Sequence, residues 1–422
     1  MSRNYTFKQI VIQKGGFLRG PFGGDLKKEI FVEKSDSTYK VYEQGVVLNT
    51  DKNIGRYYIS EEDYKSKLYK FSVQDNDFLV SCSGVNMGAI FQLKFPFERG
   101  IINQALLRIR LNNELIDDNY FLYLFKELIC KKIISGSGDS TIPNFPGLDL
   151  IKNIEFELPT KNIQIKVGKL LSDLDSKIEL NNRINAELES MAKTLYDYWF
   201  VQFDFPNPEG KPYKSSGGKM VWREEFKKEI PAGWKPGELQ DIANIKMGQS
   251  PPGESYNDKG DGVIFYQGCT DFGNRFPTVR LYTTQPTRFA KEGDILLSVR
   301  APVGTLNISK EDCCIGRGLA SLNSKDNCIA YLFGVMVNLK QIFDRRNVDG
   351  TTFGSITKDD LFTLKVVRPD KDILKQYHTI ISPAFEKQNQ IATENQQLSS
   401  LRDWLLPMLI NRQVKVCDVE NS

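Results

Sequence analysis

Leu188-Glu189-Ser190-Met191-Ala192-Lys193-Thr194-Leu195 and Leu398-Ser399-Ser400-Leu401-Arg402-Asp403-Trp404-Leu405 are one segment written twice, 210 residues apart. Worked outward, the first copy sets Val167, Leu170, Leu174, Asn181, Ile184, Leu188, Met191, Leu195 and Tyr198 on one three-four register. The second copy does the same with Tyr377, Ile380, Ala384, Ile391, Leu398, Leu401, Leu405 and Met408. Apolar residues recurring this way over several heptads form the seam of a long helix paired with another. Two helices of about ten turns are predicted, against about three turns in an average globular helix. Thr160 and Asp370 each follow a proline and offer oxygens to the free N–H groups of a first turn, which places the helix starts there. Lys177, Asn181, Lys387 and Glu394 fall on seam positions, where polar groups set register and partner choice at a cost in stability. Pro407, lacking an N–H, is expected to kink or stop the second helix, unlike Asp197 at the same register of the first.

The duplication extends into the regions before the helices. Leu79-Val80-Ser81-Cys82-Ser83-Gly84 aligns with Leu296-Leu297-Ser298-Val299-Arg300-Ala301, Ile102-Asn103-Gln104-Ala105-Leu106 with Ile315-Gly316-Arg317-Gly318-Leu319, and Gly138-Asp139-Ser140-Thr141 with Gly350-Thr351-Thr352-Phe353. Both regions are rich in Gly, Phe, Val and Ile with frequent turn signals, which suits short strands in an irregular α+β domain. The expected plan is a first domain over 1–159, a long helix over 160–200, a connector over 201–235, a second domain over 236–369, a second long helix over 370–412 and a tail over 413–422. Phe203-Asp204-Phe205-Pro206-Asn207-Pro208-Glu209-Gly210 and Lys214-Ser215-Ser216-Gly217-Gly218-Lys219 give the connector the composition of an exposed loop.

With 422 residues and 40% hydrophobic content, the chain can bury full cores in two or three domains. No apolar run approaches the roughly 18 residues of a membrane span, and Met1-Ser2-Arg3-Asn4-Tyr5 lacks the apolar core of a signal peptide, so a cytoplasmic protein without membrane contact is expected. The seven cysteines form no C-x-x-C pair, which favours reduced, mostly buried thiols over disulfides or a zinc site. A net charge of +3 is modest for a self-sufficient DNA-binding domain. Any DNA contact must therefore draw on local clusters or a partner for phosphate attraction.

Motifs for catalysis are missing at the residue level. Ser250-Pro251-Pro252-Gly253 approaches the turn with which amino-methyltransferases hold a flipped base, but Gly253 has no ring to stack on it. Gly218-Lys219 is preceded by Tyr213 and followed by Met220 where a phosphate-binding loop needs Gly and Ser or Thr. Pro369-Asp370 has no acidic-x-Lys partner for a metal-dependent nuclease, and the lone His378 sits beside Tyr377 on the second helix. No metal site and no catalytic residue are assigned.

The chain resembles the specificity subunits of type I restriction-modification systems. The likeness is carried by the helix end Met191-Ala192-Lys193-Thr194-Leu195-Tyr196-Asp197-Tyr198-Trp199-Phe200-Val201-Gln202-Phe203-Asp204-Phe205-Pro206, by Ile230-Pro231-Ala232-Gly233-Trp234 and by Leu401-Arg402-Asp403-Trp404-Leu405-Leu406-Pro407, in that order. The resemblance implies two target-recognition domains alternating with an antiparallel pair of long helices, each domain reading half of a split site in double-stranded DNA while the helices measure the gap. Unlike halves imply an asymmetric target. It further implies two methyltransferase subunits docked on this chain and usually two restriction/translocase subunits, with S-adenosylmethionine, ATP and Mg on those partners and no cofactor bound here. A coiled-coil scaffold with two protein-binding heads is the alternative.

Sequence reading of DNA needs Arg or Lys for phosphates and guanine, and Asn or Gln for adenine, on loops that approach the groove. In the first domain the candidates are Lys14 and Arg19 around the loop Gly15 to Gly24, Asn86, Lys131, Lys132 and Asn144. In the second they are Gln249, Gln267, Asn274, Arg275, Arg300, Arg317, Arg345, Arg346 and Asn347. Helix pairing or partner docking is assigned to Leu174, Asn181, Ile184, Leu188, Met191, Leu195, Trp199, Ile391, Leu398, Leu401, Trp404 and Leu405. The aromatic helix ends, Tyr196 to Phe200 and Trp404 to Leu406, suit either a methyltransferase-binding patch or packing on their own domains.

Overall fold

A computed structural model describes residues 3–22, 24–84, 86–131, 147–348, 355–414 and 416. The chain divides into two compact units, one made of Met1–Ile178 with Gln397–Ser422 and the other of Glu179–Gln396. Both mix helices and short strands, giving an α+β chain.

In the first unit, β1 (Arg3–Thr6) pairs antiparallel with β10 (Glu155–Leu158). One four-stranded sheet has the order β2 (Phe17–Arg19), β9 (Leu106–Ile109), β6 (Phe78–Ser81), β7 (Ile90–Gln92). A second has the order β3 (Phe31–Val32), β5 (Tyr58–Ile59), β4 (Tyr39–Tyr42), β8 (Gly100–Ile102), with β4 and β8 parallel. Phe78-Leu79-Val80-Ser81 is buried throughout, because both faces of this strand meet core. Phe78 packs edge-on against Phe121 at 4.9 Å, and Phe7 lies 5.7 Å from the same ring. Burial of each such ring contributes on the order of 2–3 kcal/mol. Leu409 and Ile410, from the far end of the chain, complete this core.

The second unit repeats that plan. The hairpin β11 (Met220–Arg223)/β12 (Lys228–Pro231) comes first, and β13 (Lys235–Glu238) pairs antiparallel with β23 (Lys365–Arg368). One sheet runs β14 (Ala243–Met247), β22 (Leu319–Ser324), β19 (Ile295–Ser298), β20 (Leu306–Ile308). The other runs β15 (Tyr256–Asn257), β17 (Leu281–Thr283), β16 (Val263–Tyr266), β21 (Cys313–Ile315), β18 (Phe289–Ala290), again with its third and fourth strands parallel. Apart from the β11/β12 hairpin and β18, strand order and direction are those described for the first unit.

The stretch after the first helix is an exposed loop over 208–211 and 214–217, but its start is buried. Phe203, Phe205 and Trp234 are buried, with Phe205 stacked on Trp234 at 4.8 Å and on Tyr213 at 4.7 Å. Asp204 accepts hydrogen bonds from Ser215 N and Oγ, both at 2.7 Å. Aromatic stacking and the Asp204 carboxylate thus anchor a loop whose Pro/Gly/Ser-rich turns stay at the surface.

The long helices are Lys161–Tyr196, of 36 residues, and Lys371–Ile410, of 40 residues. Asp370 Oδ1 accepts from Asp372 N at 2.9 Å at the start of the second. That helix runs through both Pro383 and Pro407, so Pro407 does not stop it. A proline removes one N–H, and the surrounding turns hold the helix. On the first helix and just beyond it the inward series includes Val167, Leu171, Leu174, Ile178, Asn181, Asn185, Leu188, Ala192, Leu195, Tyr196 and Trp199, with Leu170 half-buried beside Leu171. Ile184 and Met191, expected on the seam, are 37% and 52% exposed. On the second helix Tyr377, Ile381, Ala384, Gln388, Ile391, Leu398, Leu405 and Leu409 face inward, whereas Ile380, Lys387, Leu401 and Trp404 are exposed. In both helices one series of the expected seam is thus displaced by a single residue. Midway along the helices Asn185, Ala192 and Gln388 take the inner positions and Ile184, Met191 and Lys387 are left outside, whereas toward the ends Leu171, Ile178, Ile381 and Leu409 keep the inner series apolar.

Of the inward polar residues, Asn181 is bonded across the pair, whereas the Asn185 side-chain oxygen is buried without a hydrogen-bond partner among the described residues. Asn181, 1% exposed, donates through Nδ2 to Glu394 Oε2 and Asn395 Oδ1, both at 2.8 Å. Gln388 Nε2 donates to Asn185 O at 3.4 Å. In the first unit, Asp175 accepts from Tyr123 Oη and from Arg402 Nη1, each at 2.7 Å. Buried Gln164 seats the first helix by donating to Leu115 O and Pro159 O and accepting from Asp117 N.

Candidate nucleic-acid interface

Each unit carries the same tight turn between a parallel strand and its neighbouring sheet. In the first unit it is Asn103–Leu106, closed by Leu106 N donating to Asn103 O at 3.1 Å. In the second it is Gly316–Leu319, closed by Leu319 N to Gly316 O at 3.0 Å. Three further main-chain bonds repeat. Asn103 N donates to Tyr42 O at 3.0 Å, as Gly316 N does to Tyr266 O at 2.8 Å. Cys82 N donates to Ala105 O at 2.8 Å, as Val299 N does to Gly318 O at 2.9 Å. Gly20 N donates to Leu106 O at 3.0 Å, as Gly248 N does to Leu319 O at 2.9 Å. Glycine is required at 20 and 248, because a Cβ there would run into the carbonyl oxygen of Asn103 or Gly316.

The second residue of each turn is exposed: Gln104 in the first unit and Arg317 in the second. Around Arg317 the backbone gathers two other expected contacts, Gln249 and Gln267, both exposed. Gln249 N donates to Ile315 O at 3.0 Å, and Ser250 Oγ accepts from Arg317 N at 3.3 Å. Gln267 lies so close to the turn that a Cβ on Gly318 would stand 2.8 Å from its carbonyl oxygen. Arg300, also exposed, follows Val299, whose N–H holds the turn. A compact surface of this composition, two amides and two guanidiniums, matches the donor and acceptor patterns of base edges.

Around Gln104, Arg19 Nε donates to Gln104 O at 3.4 Å and lies 5.7 Å from the exposed ring of Phe22. Gln44 Nε2 donates to Ser81 Oγ at 2.6 Å and Ser83 O at 2.7 Å. Lys14 is exposed before β2, and Asn86 is exposed on the turn after β6. The sequence candidates omitted Gln104 and Gln44. The signal for Gln104 lay in the alignment that sets it opposite Arg317.

Other candidates lie elsewhere. Arg275 is withdrawn from the DNA-facing set: Nε donates to Asn389 Oδ1 at 2.5 Å and its guanidinium lies 4.4 Å from the Phe385 ring. Burial pushes its pKa down to about 10. It borders a cavity of about 80 Å³ lined by Tyr196, Phe333, Gly334 and Tyr377. Its neighbour Asn274 is exposed. Lys131 forms an exposed i,i+4 pair with Glu127 at 2.5 Å. Lys132 and Asn144, like the aligned Gly138–Thr141 and Gly350–Phe353, lie outside the described residues, as do the side chains of Arg345, Arg346 and Asn347.

The aromatic end of the first helix packs on its own unit. Phe200 meets Tyr331 at 4.8 Å and Tyr377 at 4.9 Å, and Trp199 is buried with it, so of this end only Tyr198 stays exposed. Leu180, Ile184, Met191 and Tyr198 instead form an exposed apolar stripe on the helix, flanked by Glu187, Leu188 and Leu195. On the second helix Leu401 and Trp404 are exposed, Trp404 by 57%.

Residues 23–190 and 231–401 each match the profile of the type I restriction modification DNA specificity domain. The chain belongs to the type I restriction-modification specificity family. The specificity subunit is 32% identical over 321 residues to the putative type I restriction enzyme MjaX specificity subunit of Methanocaldococcus jannaschii, covering 74% of this chain and 71% of the relative. It is 27% identical to the type I restriction enzyme MjaIX specificity subunit of the same organism, over 70% of this chain and 69% of that one. The crystal structure of the S subunit of a type I system from M. genitalium shares the fold, with a TM-score of 0.61 at 18% identity over 97% of this chain and 96% of that one. The specificity subunit is thus the DNA-sequence-recognition component of a type I restriction-modification system.

Proposed function

We propose that this specificity subunit reads an asymmetric bipartite DNA site, one half with each unit, and performs no chemistry itself. The observation that carries this is the recurrence of one strand order and one hydrogen-bonded turn with unlike side chains around it. Equal frames with unequal surfaces address unequal half-sites. The long helices pair as an antiparallel coiled coil in a pseudo-twofold repeat. Within the second unit, rising residue numbers on one helix meet falling numbers on the other, as in Asn181 with Glu394 and Asn185 with Gln388. The paired helices set the unread gap. Inserting seven residues in register into the 163–200 seam should lengthen the gap and leave both half-sites intact.

Two methyltransferase subunits and two restriction/translocase subunits are the proposed partners, carrying S-adenosylmethionine, ATP and Mg. The exposed stripe of Ile184, Met191 and Tyr198, and the patch of Leu401 and Trp404, suit methyltransferase docking, since large apolar groups at helical spacing are costly to leave in water. Met191 and Leu401 occupy the same place in the duplicated segment, as two equal partners require. Among the described residues no helix is long and apolar enough to cross a membrane, which accords with a cytoplasmic assembly.

Methylome sequencing of a methylation-free host tests the reading. This chain expressed with its methyltransferase should create a gapped, asymmetric N6-methyladenine motif that is absent with the methyltransferase alone. No new motif from an active, stable complex would favour a scaffold without DNA contact.

A further inference from the structure

The second recognition domain meets the helices of its unit at two places. One is aromatic: Phe200 lies 4.8 Å from Tyr331 of the domain and 4.9 Å from Tyr377 of the second helix. The other is polar and lies further along that helix. Arg275 Nε donates to Asn389 Oδ1 at 2.5 Å, with its guanidinium 4.4 Å from the Phe385 ring, and Lys310 Nζ donates to Gln396 Oε1 at 2.5 Å. The cavity of about 80 Å³ reaches from Tyr196 and Tyr377 to Arg275 and Phe385. Apolar packing is interrupted there, and the lining of a void has no partner atoms to resist a small displacement.

The polar contacts act as one clamp. On the domain side Gly273 N donates to Asn307 Oδ1 at 3.1 Å, Asn307 Nδ2 to Gly273 O at 2.9 Å and Ile308 N to Arg275 O at 2.8 Å. The loop carrying Arg275 and the strand that leads to Lys310 are thus a single block. On the helix side Phe385, Asn389 and Gln396 fall on one face over about three turns. Tyr377 to Gln396 is about 28 Å of helix, so the clamp acts on a long arm from the aromatic contact. The first unit ties its domain at the corresponding place on its own helix, where Asp175, 210 residues before Phe385, accepts from Tyr123 Oη at 2.7 Å.

We propose that Arg275 and Lys310 are positioning residues that fix the angle of the second recognition domain on the second helix and thereby hold the unread gap to a single length. This rests on the bipartite reading above, in which the helices set the gap, and adds the residues that fasten a reading domain to them. A domain tilting about its aromatic contact displaces its half-site along the duplex without changing the surface that reads it. A shift of about 3.4 Å is one base pair. Desolvation offsets much of what the polar bonds contribute to stability, so their effect falls on which arrangement is populated.

The test expresses full-length R275M/K310M and N389A/Q396A chains with the wild-type methyltransferase and compares methylomes, with salt-titrated duplex binding of each complex. Both variants should methylate the wild-type half-sites at gaps one base pair shorter or longer as well as at the wild-type gap. Methylation at those off-length sites should rise about tenfold or more, the factor carried by one charge-assisted hydrogen bond. Intact half-sites certify that the domain is folded. N389A/Q396A removes no positive charge, so a relaxed gap from it cannot come from a lost phosphate contact. If either double variant loses methylation altogether, R275M and Q396A alone decide by the same readout. A gap of unchanged length in both variants would overturn the proposal. So would a relaxed gap in R275M/K310M alone, or a salt slope lower by about 1 or more in that variant, which assigns the cations to phosphates. Degenerate bases in one half-site at an unchanged gap would mark a merely structural role and overturn it too. A wild-type chain that yields no gapped motif would instead remove the bipartite reading and this assignment with it.

Discussion

Replacing Arg275 by methionine separates an anchoring role from DNA contact. The guanidinium donates to Asn389 and stacks over Phe385 at 4.4 Å. Those contacts contribute about 2 kcal/mol for the charge-assisted hydrogen bond and about 1 kcal/mol for the ring. Against them stands burial, which lowers the pKa from 12.5 to about 10 and opposes the charged form by about 3 kcal/mol. The opposing contributions nearly cancel. Methionine keeps the apolar stem against Phe333 and Phe385, so R275M should leave stability within about 1 kcal/mol of wild type. R275A removes the stem as well and enlarges the adjoining cavity, so it should destabilise by about 2–4 kcal/mol. Urea denaturation followed by tryptophan fluorescence measures both. In the complex with methyltransferase, neither variant should change the dependence of DNA affinity on salt. A slope lower by about 1 for R275M, with stability intact, would show that Arg275 contacts phosphate and that its packing is incidental.

Asn181→Ala loses hydrogen bonds to Glu394 and Asn395 and should cost about 2–4 kcal/mol in urea unfolding, whereas Asn181→Leu regains that by apolar burial and should be near neutral. Met191→Asp, on an exposed helix face, should leave the unfolding midpoint unchanged while reducing co-purification of methyltransferase at least tenfold; unimpaired co-purification would clear this stripe of a docking role. Gly248→Ala forces a Cβ against Gly316 O and should weaken recognition of one half-site only, measured as a methylation motif degenerate on one side. Burial pushes the thiols of Cys313 and Cys328 up to about 11 and that of Cys82 up to about 12. A raised pKa keeps them protonated at pH 8, so the native chain should resist alkylation at these three sites and react once unfolded in urea.

Much of the architecture was legible in the sequence because heptads and duplicated strands follow simple periods. Val167, Leu174, Asn181, Leu188 and Leu195 lie seven apart and all turn inward. The second seam series was misplaced because Ile184 and Met191 look more core-like than Asn185 and Ala192. Periodicity cannot tell an inward small residue from an outward large one when a helix has apolar groups on two faces. Of the connector, composition shows the exposed turns at 208–211 and 214–217 but not that Phe203 and Phe205 find Trp234. Among the reading-surface residues, Arg317, Gln249 and Gln267 were visible as types suited to bases, but only tertiary main-chain bonds gather them. Arg275 has the same chemistry and the opposite fate, settled by which helix lies beside it.

The composition of the first unit sets an order of events during synthesis. Its core draws on residues 7–171 and then on Leu405, Leu406, Leu409 and Ile410 from the last helix, while Arg412 pairs with Glu157. The second unit is one uninterrupted segment, Glu179–Gln396. Domains usually consolidate in the order in which they leave the ribosome. Here residues 7–171 need Leu405 to Ile410 to complete their core, so the unit made between them can close before the first is sealed.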